Sequence, residues 1–174
     1  MTPIFLIPTE LEARIFCELC PEVEVVISGV GMAATAATLA RMSSTQSLAG
    51  RVVILAGIAG CYEQKCDIGE VVEVRSEVVS ELPERFRKEY RVEPFTNLRG
   101  VASNTVSRCN AESCGADIEN MEGAALFAMA ESLGLSAVEV RAISNRVGDS
   151  FDKWSVDEAV EALARELKRL EDEK

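Results

Sequence analysis

The sequence contains no histidine among its 174 residues. This absence excludes catalytic sites built on imidazole, such as Ser-His-Asp and Cys-His arrangements, and it excludes zinc sites with histidine ligands. Any acid–base catalysis must therefore come from carboxylates, lysine, cysteine or tyrosine.

Basic residues are scarce relative to acidic ones. The chain has 18 Lys and Arg against 29 Asp and Glu, which gives a formal net charge of −11. Such a charge disfavours binding to nucleic acid and to anionic membrane surfaces, so we expect neither as a partner. It does not exclude a small ligand, because a binding site needs only local charge.

Long apolar runs are also missing. No stretch is long enough to span a bilayer, and no basic segment precedes a cleavable signal, so we expect a cytoplasmic protein. Hydrophobic residues nevertheless make up 48% of the chain, which is enough to bury a sizeable core. Because no linker or repeat divides the sequence, it predicts a single domain over residues 1–174.

Six cysteines are present, and two of them form a C-x-x-C pair, Cys17 and Cys20. The pair could serve redox chemistry or metal binding, or it could lie on a helix that belongs mostly to the core. A lone C-x-x-C is a weak signal, and the other cysteines do not supply a second such pair for a Cys₄ zinc site. The sequence therefore predicts neither a metal nor a cofactor.

Strand and helix patterns alternate along the chain. Short apolar runs predict strands at 4–7, 23–28, 52–56, 70–74, 101–106 and 137–143. Amphipathic or Ala-rich patterns predict helices at 9–19, 32–42, 121–133 and 155–170. The alternation predicts an α/β fold, a three-layer α/β/α sandwich with a mixed, mostly parallel central sheet. Residues 76–100 carry two prolines and five basic residues, and we interpret them as a surface excursion.

Polar residues lie at the start of the helix predicted at 121–133 and at the end of the strand predicted at 137–143. Glu122 opens a helix, where the helix dipole favours a negative charge. Arg141, Ser144 and Asn145 end the next strand, and α/β proteins bind ligands outside the carboxyl ends of their strands. The pattern therefore predicts a ligand site at this edge of the sheet.

Two segments near the amino terminus have two interpretations each. Thr9 and Glu12 match the capping box S/T-x-x-E, which would commit the Glu12 carboxylate to the start of a helix. Gly29-Val30-Gly31 follows a strand and precedes a helix, so it is either a tight packing turn or a turn that offers N–H groups to a ligand.

The segments DIENMEGAA and VRAISN resemble the purine nucleoside phosphorylase/nucleosidase superfamily, and within it the futalosine hydrolases. Relatives that cleave methylthioadenosine and S-adenosylhomocysteine share Met-Glu and R-x-I-S but follow the Ser with Asp, whereas this chain has Asn145. The Gly after Met-Glu and the later Trp154 also look like futalosine hydrolase. Trp154 could equally pack against the last helix, which Ser155 and Glu158 would cap in a second capping box.

The resemblance implies hydrolysis of the N-glycosidic bond of futalosine, a purine nucleoside, with release of hypoxanthine in menaquinone biosynthesis. It assigns Glu12 to activating the water and Asn145 to the base, with Ser144 sharing that task. It assigns Glu122 to the ribose hydroxyls, Met121 to packing under the sugar and Arg141 to orienting Glu122. A second Gly turn, in this chain Ile58, Ala59 and Gly60 after Gly57, would pass beneath the ribose and purine.

Three alternative functions remain open, and so does the oligomeric state. The enzyme could act on methylthioadenosine, S-adenosylhomocysteine or aminofutalosine. It could be a phosphorylase that uses Arg14, Arg41 or Arg51 for phosphate, or a non-catalytic nucleoside-binding protein. Relatives commonly complete their sites with a neighbour's side chain, so the resemblance implies a homodimer or a higher homo-oligomer.

Overall fold

Eight strands and four α-helices follow one another along residues 2–173, the part of the chain that the computed structural model describes. The strands are β1 Thr2–Ile7, β2 Val25–Ile27, β3 Arg51–Cys61, β4 Val71–Val79, β5 Glu89–Arg91, β6 Arg99–Thr105, β7 Ile118–Asn120 and β8 Ser136–Arg146. The helices are α1 Glu10–Leu19, α2 Met32–Thr45, α3 Gly123–Leu133 and α4 Val156–Asp172. The predicted α/β fold is confirmed.

The strands form one mixed sheet in which most neighbours are parallel, as the sequence predicts. β3 lies between β1 and β8 and is parallel to both, while β2 extends the sheet beyond β1. β8 also pairs with β4 antiparallel, and β4 is parallel to β6. β6 pairs with β7, which returns to β3, so β3, β8, β4, β6 and β7 close into a ring. This closure brings the carboxyl ends of several strands around one space.

Helices cover both faces of the sheet. α1 and α4 pack against each other on one face, and α2 and α3 pack against each other on the other. Because successive side chains of a strand point to opposite faces, Phe5 and Ile7 of β1 join the core beneath α1 and α4, whereas Ile4 and Leu6 join the other core. No helix within residues 2–173 is long and apolar enough to cross a membrane.

The expected turn at Gly57–Gly60 is wrong, because β3 continues through it to Cys61. β8 pairs with these residues along the whole segment, with a register shift between Ala59 and Gly60. The glycines therefore lie inside a strand, where they mark a close approach of other groups to the backbone rather than a change of direction.

The interpretation of 76–100 as a surface excursion is wrong for its first residues. β4 extends to Val79, and Glu77 in its second half is fully buried. Residues 81–89 are exposed, and β5 then pairs antiparallel with β4. Charged residues in this stretch concealed the strand from the sequence pattern.

Two predicted helix starts also need correction. The helix expected from Met121 begins at Gly123, since the preceding residues form β7 and Glu122 occupies the N-cap position. The second capping box does not form, because Ser155 makes no side-chain cap hydrogen bond. Its backbone (φ −89°, ψ 58°) departs from the extended conformation typical of caps, and its N–H donates instead to the Ser144 carbonyl at 2.8 Å.

Candidate active site

A cavity of about 310 Å³ opens at the carboxyl ends of β1, β3, β6, β7 and β8. Every site residue expected from the sequence lines it except Arg141, which lies behind the wall. These lining residues are Glu12, Ile58, Ala59, Gly60, Met121, Glu122, Ser144 and Asn145. Three carboxylates reach the cavity, since Glu119 joins Glu12 and Glu122, whereas no lysine or arginine of the described part of the chain lines it.

Glu12 faces the cavity from the first turn of α1, and Thr9 supplies the cap of that helix. The Thr9 hydroxyl accepts the Glu12 N–H at 3.2 Å and donates to Glu12 Oε2 at 2.6 Å. The other carboxylate oxygen accepts the Ile58 N–H from β3 at 2.9 Å. Half of the predicted capping box therefore forms, and it holds the Glu12 carboxylate against β3.

The environment of Glu12 shifts the pKa of its carboxyl upwards. Burial raises the pKa of its carboxyl, and the hydrogen bonds from Thr9 and Ile58 and the charge of Arg141 oppose that rise only partly. A carboxyl whose pKa is raised in a cavity is suited to accept and release a proton near neutral pH.

Glu122 is buried between β7 and α3, with both carboxylate oxygens occupied on the protein side. Oε1 accepts the Gly31 N–H at 2.9 Å, and Oε2 accepts from Arg141 Nη2 at 3.1 Å. The Gly29–Gly31 turn therefore directs this N–H to a side chain rather than to a ligand. Gly31 has φ +91°, a backbone conformation that other residues rarely adopt.

Arg141 lies fully buried in β8 and connects several site elements. Its Nε donates to Glu139 Oε1 at 2.8 Å, and its Nη2 donates to Asn120 Oδ1 at 3.0 Å as well as to Glu122. The guanidinium thus fixes the Glu122 carboxylate from behind, since it offers several donors in one rigid plane.

The absence of a side chain at Gly57 allows this arrangement. An added Cβ there would lie 2.6 Å from Arg141 Nη1 and 2.9 Å from Glu12 Oε1. Both distances are shorter than an ordinary van der Waals contact, so any larger residue would displace one of the two groups. This requirement explains a glycine in the middle of a strand.

Asn120 was missed by the sequence interpretation. Its Oδ1 accepts the N–H groups of Glu122 at 2.8 Å and Gly123 at 2.7 Å, in addition to the bond from Arg141. The Asn120 side chain therefore accepts hydrogen bonds from backbone N–H groups at the start of α3. Together with Arg141 it orients Glu122. An Asn just before an apolar helix is a typical cap signal, which could have pointed to it.

Ser144 and Asn145 lie side by side at the end of β8. The Ser144 hydroxyl donates to Asn145 Oδ1 at 2.8 Å, and Asn145 Nδ2 donates to the Arg146 carbonyl at 3.1 Å. These contacts orient the amide and use one of its two N–H groups. The second N–H is available to a ligand in the cavity.

Aromatic residues lie at the mouth of the cavity. Trp154 lines it and packs against Phe151, with ring centroids 5.1 Å apart. Trp154 is half-buried, whereas Phe151 is 74% exposed. Sequence patterns did not indicate Phe151, because it lies in a short polar loop.

Arginines that could serve a phosphate lie elsewhere. Arg14 pairs with Asp157 at 2.7 Å, and Arg51 pairs with Glu24 at 2.7 Å. Neither of them nor Arg41 lines the cavity.

The C-x-x-C pair also lies away from the cavity. Cys17 is exposed on α1, and Cys20 at its end is half-buried. The pair therefore lies on a helix, as the structural interpretation has it, but Cys17 itself lies outside the core.

Solved structures with the same fold include two from Helicobacter pylori. Its 5′-methylthioadenosine/S-adenosylhomocysteine nucleosidase, with 5′-methylthioadenosine in the active site, matches at a TM-score of 0.80 and 16% identity, over 99% of each chain. Its futalosine hydrolase matches at a TM-score of 0.77 and 15% identity, over 99% of this chain and 97% of the other. These similarities establish the fold.

Sequence comparison adds a relative and a family. The futalosine hydrolase of Thermus thermophilus is 28% identical over 179 aligned positions, which cover 82% of this chain and 78% of that protein. The family model of the phosphorylase superfamily matches residues 84–171, just over half of the chain. The matched region contains Asn120, Glu122, Arg141 and Asn145. The chain therefore belongs to the phosphorylase superfamily.

Proposed function

We propose that this protein is a nucleosidase that hydrolyses the N-glycosidic bond of a purine nucleoside, with futalosine as its preferred substrate. The observation that carries this proposal is a cavity lined by three buried carboxylates, Glu12, Glu119 and Glu122, with no lining cation among residues 2–173. Futalosine hydrolysis would release hypoxanthine and serve menaquinone biosynthesis in the cytoplasm.

Cleavage of an N-glycosidic bond develops positive charge on the ribose and negative charge on the purine. An enzyme accelerates the reaction by stabilising these charges more strongly in the transition state than in the substrate. The Glu122 carboxylate, held by Arg141 and Gly31, would accept hydrogen bonds from the ribose hydroxyls and stabilise the sugar cation. Met121 lines the cavity beside it and would pack against the sugar.

Glu12 is the group we assign to the attacking water. The Ile58 N–H and the Thr9 hydroxyl hold its carboxylate at the cavity wall. The water would form the new bond to the anomeric carbon and give its proton to Glu12, while the purine leaves with the electrons of the broken bond. Asn145 would stabilise the developing negative charge by donating a hydrogen bond to the base, and the Ser144 hydroxyl, which donates to Asn145 Oδ1, would hold that amide in place.

Hydrolysis fits the cavity better than phosphorolysis does. A phosphate anion would lie among Glu12, Glu119 and Glu122, and none of the lysines and arginines that the structure describes lines the cavity to balance its charge. The cavity repels the nucleophile of a phosphorylase but accepts neutral water.

A homodimer or a higher homo-oligomer fits the surface around the cavity mouth. Leu11, Val30 and Phe151 line the cavity and are 51%, 53% and 74% exposed. A cluster of large exposed apolar side chains is typical of an interaction surface.

We expect release of the free base in phosphate-free buffer. Purified protein should be incubated with futalosine, aminofutalosine, inosine and methylthioadenosine, with and without phosphate, and the base and sugar products should be separated by chromatography. Free sugar as the product in both buffers supports a nucleosidase. Base release only with phosphate, with ribose 1-phosphate as the sugar product, would instead identify a phosphorylase.

Asn145→Asp is expected to shift the preference from hypoxanthine towards adenine nucleosides. The Asn145 amide offers a neutral N–H to a 6-oxopurine, whereas an ionised Asp would repel the base oxygen. One such contact is worth about 1–3 kcal/mol, by analogy with base recognition in nucleic acids, which corresponds to roughly ten- to hundred-fold in relative efficiency. The measurement is the ratio of kcat/KM for futalosine over aminofutalosine in both proteins, and an unchanged ratio would mean that Asn145 does not read the base.

A further inference from the structure

Two glutamates lie fully buried behind the cavity, and the proposed reaction uses neither of them. Glu77 belongs to β4 and Glu139 to β8, and both have no exposed surface. They flank Gly123 at the start of α3, where an added Cβ would overlap a carboxylate oxygen of each. An oxygen of each carboxyl group would lie 2.4 Å from that Cβ, so the two groups are close neighbours.

The groups that face this pair come from every neighbouring element. Arg141 contacts Glu139 and lies between it and the cavity carboxylates Glu122 and Glu12. On the Glu77 side the neighbours are the polar, uncharged groups of Asn120, Ser103 and Thr105. Three carboxyl groups therefore surround the buried guanidinium, and Glu77 adds a fourth beside Glu139. Full ionisation of all four would leave a large unbalanced negative charge in the protein interior.

The hydrogen bonds of the pair indicate where a proton lies. Glu139 Oε1 accepts from Arg141 at 2.8 Å, and Glu77 Oε2 accepts from Asn120 at 2.9 Å. The remaining oxygens, Glu77 Oε1 and Glu139 Oε2, are buried and have no hydrogen-bond partner among the described residues. Two carboxylates cannot satisfy each other, but one proton on Glu77 makes it a donor to Glu139.

We propose that Glu77 holds a proton that it shares with Glu139, and that this acid–carboxylate pair positions Arg141 against Glu122 and Asn120. The role in positioning rests on the proposed function, because it assumes that Glu122 binds the ribose. The proton itself does not rest on it.

The electrostatics agree with this arrangement. Burial raises the pKa of Glu77, and the neighbouring Glu139 charge raises it further. Burial also raises the pKa of Glu139, against which the adjacent Arg141 charge acts. Glu139 is therefore the carboxyl of the pair that keeps the negative charge, and Glu77 is the one that keeps the proton.

A single negative charge on the pair has a consequence for the cavity. The negative charge of the pair neutralises part of the positive charge of Arg141. The guanidinium can then orient the Glu122 carboxylate and still leave it a good hydrogen-bond acceptor. An uncharged pair would leave Glu122 as the main partner of Arg141 and weaken it as an acceptor for the ribose hydroxyls. The pair thus positions Arg141 without contacting substrate.

Infrared spectroscopy at neutral pH tests the shared proton directly. The unmodified protein is expected to show the carbonyl band of a buried protonated carboxyl, and Glu77→Gln is expected to lack it. Glu139→Gln should keep the band at a shifted frequency, because burial, the larger cause of the raised pKa of Glu77, remains while the hydrogen-bond partner changes. Glu73→Gln is the matched control, since Glu73 is a buried acid of the same strand with its own partners at Arg75, Phe95 and Thr96, and it should keep the band.

A double-mutant cycle tests the positioning of Arg141. Glu77→Gln leaves the negative charge on Glu139, so kcat/KM for the best nucleoside should fall by no more than about threefold. Glu139→Gln removes that charge, so kcat/KM should fall by about tenfold or more, and the double variant Glu77→Gln/Glu139→Gln should fall no further than Glu139→Gln alone.

The outcomes separate this proposal from the proposed function. A spectrum unchanged by Glu77→Gln overturns the shared proton whether or not the protein cleaves nucleosides, and it decides the question even if the double variant does not fold. A band lost in Glu77→Gln, together with an unchanged kcat/KM in Glu139→Gln, keeps the proton but overturns the positioning role. A lost band in a protein that cleaves no nucleoside would contradict the proposed function alone.

Discussion

Replacement of Glu12 with glutamine is expected to lower kcat by about two orders of magnitude or more, the usual scale for loss of a general base. The amide can keep the contacts to Thr9 and Ile58, since it offers one acceptor and one donor, but it cannot take a proton from water. The melting temperature should therefore remain nearly unchanged. Steady-state kinetics with the best nucleoside and a thermal melt give both quantities.

The pH profile provides a second measurement of the same role. Because the carboxylate is the active form of a base, activity should fall as the pH drops through the raised pKa of Glu12. Glu12→Gln should lose this acid limb. Glu10→Gln, an exposed acid in the same helical turn, is the control and should retain full activity. Unchanged turnover with a lowered melting temperature in Glu12→Gln would assign Glu12 to the cap alone.

Arg141→Met is expected to have the largest effect on stability. It removes the only cation in contact with Glu139 and Glu122 among the described residues, so two buried carboxylates lose their partner. Breaking such a pair costs about 3–5 kcal/mol in the free energy of unfolding. For a domain of this size the melting temperature should drop by roughly 6–20 °C.

An exposed ion pair serves as the control, because it shows how much stability is lost when any arginine is replaced by methionine. Arg165 pairs with Glu161 on the surface of α4, with 70% and 57% of the two side chains exposed. Arg165→Met should therefore change the free energy of unfolding by less than about 1 kcal/mol. Equal losses in the two variants, measured by chemical denaturation, would mean that the buried network contributes no special stability.

Several features of the fold could be predicted because they depend on neighbours in sequence. The apolar runs around Ile4 and Val53 indicate strands, and the helix expected to end at residue 133 does end there, because Gly134 adopts the left-handed conformation that closes a helix. The α/β alternation follows from these elements, and it places Glu122, Ser144 and Asn145 at one edge of the sheet. Parallel strands share the direction of their carboxyl ends, so this grouping needs no knowledge of exact contacts.

Other features depend on pairing between distant segments and could not be predicted. Gly57 and Gly60 look like turn residues, yet β8 and β7 hold them in a strand. Glu77 looks like part of a charged surface segment, yet ring closure by β4 and β8 buries it beside Glu139. Burial is a property of the surrounding elements, so a local pattern of charges cannot report it.

The amino-acid sequence by itself determined the class of fold, the edge of the sheet that carries the cavity, and the exclusion of histidine chemistry. The tertiary structure decided which groups share one environment: Glu12 with Ile58, Glu122 with Gly31, and Arg141 with both Glu139 and Asn120. The physical reason is that local backbone preferences and hydrophobic periodicity act over a few residues. Hydrogen bonds to buried charged side chains instead join segments up to 91 residues apart, and only the folded chain brings these groups within reach of each other.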